Sequence, residues 1–210
     1  MRVEPATLPS LKRMLIAVNL ELDQLYKRYD ASSAEGSLSE FEKLVVVLED
    51  RRYFSHIGVD VLSVAREFAK AATFRSHGGA STIDMQFVRT VNDRKEYTLR
   101  RKAREIVIAA LANYHFNKKA MLRSYLEIAF FGTGLVGATA TSYFLFQKDH
   151  RSLVGLPAAQ LAAMLVYPRP AQPSEAWRHR VKRRAEYGLR LLPRFEERFD
   201  QVEMCENIDV

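Results

Sequence analysis

Residues 49–58 read EDRRYFSHIG, and residues 101–105 read RKARE. Each segment carries a carboxylate, Glu49 and Glu105, on a helix-like stretch that is rich in cations. A carboxylate held among cations and aromatic rings suits acid–base chemistry on a phosphorylated substrate. The acid moves a proton while the cations hold phosphate charge. In the first segment Glu49 reads as a general base with Asp50 beside it. Arg51 and Arg52 would hold anionic groups, and His56 would hydrogen-bond the acid loop. The same residues also fit a plain helix C-terminus with surface charges and a core histidine. One detail favours use: the two acids fall at the negative pole of the preceding helix, where carboxylates are disfavoured.

GGASTIDMQF, residues 78–87, offers a second constellation. Its glycines allow close backbone approach, and Ser81 or Thr82 can cap a helix whose N-terminal N–H groups would face an anion. Thr82 and Gln86 share a helix face, and Arg89 extends it with a group suited to bidentate phosphate binding. An ordinary capped surface helix explains the same pattern. In RKARE, Arg101 and Glu105 form an i,i+4 pair, which is usually a solvated salt bridge. FFGTGLVG, residues 130–137, holds glycines that turns explain equally well.

The elements that must position these residues read as helical. Residues 8–29 carry an apolar helical stripe, ASSAEGS at 31–37 is a break, and Ser37/Glu40 or Ser39/Glu42 forms a capping box. FEKLVVVLED then reads as a buried helix. Further helices are expected over 59–74, TIDMQFVRTV, 104–116, 118–131, 157–166 and the basic stretch ending near Leu192. Residues 128–147 carry no charge, but their glycines, threonines and serine argue for a turn followed by a buried helix rather than a membrane span. No strand is convincing. The chain's 210 residues suggest one domain, divided into an N-terminal helical segment 1–36, a main domain 37–200 with a small lobe about 59–77, and a tail 201–210. The net charge of +7 favours an anionic partner. Aromatic residues are not interleaved with the basic runs, which argues against nucleic acid. A single cysteine, Cys205, rules out a disulfide within the chain and a thiolate metal cluster, and no HExxH pattern occurs.

In this order, the four segments resemble glycosyltransferase family 51, the peptidoglycan glycosyltransferase domains of bifunctional penicillin-binding proteins and of monofunctional transglycosylases. The match runs through Glu49, Asp50, Tyr53, His56 and Gly58, then Gly79, Ser81, Thr82, Ile83 and Gln86. It continues through Arg101, Lys102 and Glu105, then Tyr125, Leu126, Phe131, Gly132, Gly134 and Gly137. The resemblance implies an all-α, lysozyme-like helical domain with a small membrane-proximal lobe. It implies inverting polymerisation of a lipid-linked disaccharide, with Glu49 as base and a polyprenyl pyrophosphate leaving. Asp50, Arg52, His56, Ser81, Thr82, Gln86, Arg89, Arg101 and Lys102 would bind substrate. Glu105 would organise the cationic shell or help hold a divalent metal (Mg or Mn) near the pyrophosphate, although no cofactor is required.

The chain departs from the family at Met85, where a glutamine is expected, and at Arg89 and Thr90, where lysine and asparagine are expected. Arg123 and Glu127 replace a glutamate and an asparagine, a swap that could preserve a local ion pair. These departures leave two other readings open: a degenerate member that binds lipid-linked glycan or a partner protein without turnover, and a lysozyme-like hydrolase. The expected partners are the polyprenyl-pyrophosphate disaccharide, the growing glycan and a membrane surface. No anchor or signal peptide is visible, so a peripheral position at the bacterial cytoplasmic membrane is expected.

Overall fold

The structure is a computed structural model, and it describes residues 11–60, 81–92 and 99–206. The small lobe expected at 59–77 falls almost wholly outside the described residues, as do Gly78 and Gly79. The described chain is predominantly α-helical, as the sequence pattern requires. α1 spans Leu11–Arg28, α2 Glu40–Glu49, α3 Ile83–Val91 and α4 Leu99–His115. α5 spans Lys118–Ile128, α6 Ala138–Phe146, α7 Gly155–Ala163, α8 Glu175–Leu191 and α9 Glu196–Glu206.

α2 is the central helix. Ser39 and Glu42 form its capping box: the Ser39 hydroxyl accepts from the Glu42 N–H at 3.3 Å, and Glu42 accepts from the Ser39 N–H at 2.7 Å. Three consecutive valines, Val45 to Val47, are poor helix formers, yet all three are buried. Packing therefore holds this helix more than propensity does. Its partners are α7 and α8. α7 presents Ala158, Ala159, Ala162 and Ala163, small side chains that let the backbones approach closely. At the N-terminal half of α2, buried Arg123 from α5 donates to both oxygens of Glu42, at 2.6 and 3.3 Å. The same guanidinium donates to the carbonyls of Ser33, Glu35 and Ser37, and so pins the α1–α2 connection.

Several expectations need correction. Arg123 pairs with Glu42 and not with Glu127, whose carboxylate accepts from the Thr139 hydroxyl at 2.8 Å. The helix expected to reach residue 131 stops at Ile128, and a short hairpin follows: β1, Phe130–Gly132, is antiparallel to β2, Leu135–Val136. The chain at Arg169 lies along the free edge of β1. Its N–H donates to the Phe131 carbonyl and its carbonyl accepts from the Thr133 N–H, both at 2.8 Å. The hairpin was illegible because its glycines break the strand pattern. Gly137 has φ 82°, and a Cβ there would come within 2.6 Å of the Glu127 carbonyl oxygen. α6 is only partly buried, with Tyr143 and Phe144 exposed. α9 follows α8 after a short 3-10 turn and was not anticipated. It docks through Phe199, which is fully buried amid an otherwise acidic helix.

Candidate active site

Glu49 is the last residue of α2. Its Oε1 accepts from Arg184 Nη2 of α8 at 3.0 Å, and its Oε2 accepts from Gln86 Nε2 of α3 at 3.3 Å. Two different helices thus fix the two oxygens. Arg184 Nη2 also donates to the Leu48 carbonyl at 2.8 Å. A cation at the negative pole of α2 offsets the unfavourable placement of a carboxylate there. Gln86 is itself held, because the Tyr125 hydroxyl donates to its Oε1 at 2.8 Å. Burial first, and the Glu49 charge second, push the Tyr125 pKa up, so this hydroxyl keeps its proton. A donor on Oε1 leaves the NH2 group of Gln86 for Glu49, which sets the orientation of the amide.

Beneath this row lies the acid loop. Asp50 Oδ2 accepts from the Ile83 N–H at 3.2 Å and contacts His56 Nε2 at 2.9 Å. The Asp50–His56 contact was expected. The pairing of Asp50 with the first turn of α3 was not, and it places a carboxylate at a positive helix pole. Asp84, one residue on, is fully buried and carries the Lys118 ammonium on its Oδ2. Lys118 stands 4.3 Å from the centre of the Tyr53 ring, and the Tyr53 hydroxyl donates to the Lys118 carbonyl at 2.8 Å. Burial is the leading cause of both shifts in this pair: it raises the Asp84 pKa and lowers that of Lys118, while each partner's charge opposes the shift of the other.

Thr82 caps α3 as expected: its Oγ1 accepts from the Met85 N–H at 3.3 Å. Its hydroxyl proton goes to the Gly58 carbonyl at 2.7 Å, so Thr82 holds the turn after the acid loop. Gly58 has φ 84°, and a Cβ there would lie 2.3 Å from the Ala109 carbonyl oxygen. Only glycine lets this turn sit against α4. Arg52 is drawn to Asp60 at 3.2 Å, and Arg51 donates to the Tyr187 hydroxyl at 2.6 Å.

The second carboxylate, Glu105, is buried on α4. Its Oε1 is 3.1 Å from Arg101 Nη1, and its Oε2 is 3.8 Å from Lys102 Nζ. Lys102 Nζ donates to the Ser81 hydroxyl at 2.8 Å. Burial lowers the Lys102 pKa; Glu105 opposes this, and Arg89 and Arg101 add to it. Arg89, Arg101, Arg104 and Glu105 line one small crevice with Glu21 and Asn92. Arg101 and Lys102 thus converge on Glu105 and Arg89 lines the same crevice, whereas Arg51 and Arg52 turn to Tyr187 and Asp60. Sequence reasoning missed Arg184, Asp84 and Lys118. Arg184 had a signal: it falls among Val181, Ala185 and Gly188, the buried positions of a strongly basic amphipathic helix. Asp84 and Lys118 had none, because their pairing joins two helices.

Among the described residues, no helix is long and apolar enough to cross a membrane. The family model described as "Transglycosylase" matches residues 19–192. Penicillin-binding protein 1A of Rickettsia typhi is 32% identical over 148 residues, which is 69% of this chain and 19% of that protein. Penicillin-binding protein 1F of Bacillus subtilis is 30% identical over 157 residues, 72% of this chain and 22% of that protein. The biosynthetic peptidoglycan transglycosylase of Haemophilus influenzae is 32% identical over 155 residues, 73% of this chain and 63% of that protein. The alignment thus spans about a fifth of the length of the penicillin-binding proteins and under two thirds of the transglycosylase.

Proposed function

Because the chain belongs to the transglycosylase family, we propose that it is a peptidoglycan glycosyltransferase that polymerises a lipid-linked disaccharide with inversion at the sugar carbon. The observation that carries this reading is Glu49, fixed by Arg184 and Gln86 at the end of α2. A sugar hydroxyl is a weak nucleophile and needs a base on the attacking side. Glu49 takes the proton of the acceptor's 4-hydroxyl as that oxygen bonds to C1 of the donor. The bond from C1 to the pyrophosphate oxygen breaks, and its electron pair leaves with the polyprenyl pyrophosphate. Negative charge grows on that leaving group, so cations placed there act more strongly in the transition state than before it. Arg89, Arg101 and Lys102 are assigned to this task, with Glu105 holding the last two in place.

Both oxygens of Glu105 face cations, a donor set that does not suit a resident divalent metal. The leaving group is accordingly assigned to side chains, and no step is routed through a metal. Purified protein is expected to extend lipid-linked disaccharide into glycan, and Glu49→Gln is expected to yield none. Polymer from Glu49→Gln at the unsubstituted rate would remove Glu49 from the base role. One observation favours a non-catalytic glycan binder instead: Met85, where the family has glutamine, is packed into the core and offers no amide. Tight binding of the lipid-linked sugar with no polymer at any pH would decide for that second reading.

A further inference from the structure

A crevice of about 450 Å³ lies where the end of α1 meets α5 and the short 3-10 turn His150–Ser152. It stands apart from the Glu49 row. Its wall includes Arg123, whose five N–H groups are all taken, by Glu42 and by three carbonyls. Glu42 in turn precedes Glu49 by seven residues, about 10 Å along α2. Three other cations line the crevice: Lys27, Arg28 and Arg151. All three are exposed, and among the described residues none of them makes an ion pair. The negative pole of α1 accounts for Lys27 and Arg28 in its last turn, but not for Arg151, which arrives from a distant part of the chain.

The crevice also holds open acceptors. His150 lines it, is only 5% exposed, and packs its ring edge-on to Phe41 at 5.5 Å. The Thr139 hydroxyl donates its one proton to Glu127 Oε1 at 2.8 Å, so the 3.2 Å contact between Thr139 Oγ1 and His150 Nδ1 requires the ring proton on Nδ1. Nε2 then presents a lone pair, and among the described residues it has no partner. Burial lowers the His150 pKa, against the charges of Asp149, Glu127 and Glu42, which keeps the lone pair free. A nearly buried acceptor in a polar crevice calls for a donor. Three unpaired cations would draw a bare anion, but Glu127 and Asp30 in the same wall repel one. A ligand that carries both charges satisfies both sets. We propose that this crevice binds a short zwitterionic peptide, its carboxylate against Lys27, Arg28 and Arg151 and its ammonium donating to His150 Nε2 and Glu127. The volume falls in the roughly 300–1,000 Å³ range of drug-sized ligand sites, which favours two or three residues over a single amino acid.

The test is calorimetric titration of the full chain with trialanine. Wild-type protein is expected to bind it. N-acetyl-trialanine and trialanine amide, each lacking one charge, are expected to bind about tenfold more weakly or worse. Arg28→Gln with Arg151→Gln, both exposed, should weaken trialanine about tenfold or more, and so should Glu127→Gln. Arg178→Gln on α8 should change nothing. Nitrogen-15 spectra should show His150 protonated on Nδ1, with the Nε2 resonance moving when trialanine is added. Wild-type protein that ignores trialanine would overturn the proposal, as would equal binding of the capped peptides or an Arg178→Gln variant that loses as much. Inorganic phosphate that binds more tightly than trialanine would make the crevice an anion site, and alanine that binds equally would make its occupant an amino acid; either result overturns the peptide. A proton found on Nε2 of His150 would remove the acceptor for the ammonium and overturn it too.

Discussion

Tyr125→Phe removes one oxygen from a buried row and leaves the ring in place. In the structure that hydroxyl donates to Gln86 Oε1 at 2.8 Å, and Gln86 Nε2 donates to Glu49 at 3.3 Å. Tyr125 and Gln86 are both buried, so the carbonyl of Gln86 loses its partner away from bulk water. Leaving a buried acceptor unsatisfied costs about 1–3 kcal/mol, so the melting temperature should fall by roughly 2–10 °C for a chain of this size. The second effect is on chemistry. Without the donor the amide can flip, which would turn its oxygen toward the Glu49 carboxylate and repel it. A base displaced by even part of an ångström loses attack geometry; about 1.4 kcal/mol of that loss is a tenfold drop in kcat. The assay is polymerisation of lipid-linked disaccharide with kcat and KM separated, beside thermal melting of the same preparation. KM should move little, because the Tyr125 hydroxyl bonds Gln86 and donates to none of the groups assigned to the leaving pyrophosphate. A variant with unchanged kcat and unchanged melting would refute the idea that this row positions the base.

Arg184→Met should lower kcat about ten- to hundredfold, the worth of a hydrogen bond to a charged group, while binding of the lipid-linked sugar stays near normal; equal loss of both would count against a role through Glu49. Arg123→Met leaves the Glu42 carboxylate buried without its cation and should destabilise by about 3–5 kcal/mol in denaturant unfolding. Unchanged stability there would show that Glu42 reaches water. Lys102 gives a pH dependence. Its pKa is lowered by burial, so it loses its charge at a pH below that of an ordinary lysine. KM for the pyrophosphate substrate should therefore climb as pH rises through that lowered value, and Lys102→Arg, which keeps its charge, should abolish the climb. Between the lowered value and the 10.5 of an ordinary lysine the unfolded chain binds more protons at this site, so its contribution to stability rises with pH. An identical KM profile in Lys102→Arg would assign the titration elsewhere.

The sequence by itself determined the helical class and the pairing of Arg101 with Glu105, and it narrowed the capping box to Ser37/Glu40 or Ser39/Glu42 and the cap to Ser81 or Thr82, of which the structure takes Ser39/Glu42 and Thr82. These are local: helical periodicity, a cap and its N3 partner, and residues one turn apart depend on the chain within a few positions. The ordered motifs also placed the chain among the transglycosylases. The short hairpin at Phe130–Val136 was lost because glycine-rich turns hide a strand this brief. What only the tertiary structure decided is who touches the reacting groups. Glu49 meets Arg184 from 135 positions away and Gln86 from 37, and Arg123 meets Glu42 from 81. No local pattern encodes such pairings, because they arise where helices cross. The sequence marked Glu49 as an acid in an unfavourable place at a helix end, and the packing of α8 against α2 supplied the guanidinium that makes the place tenable.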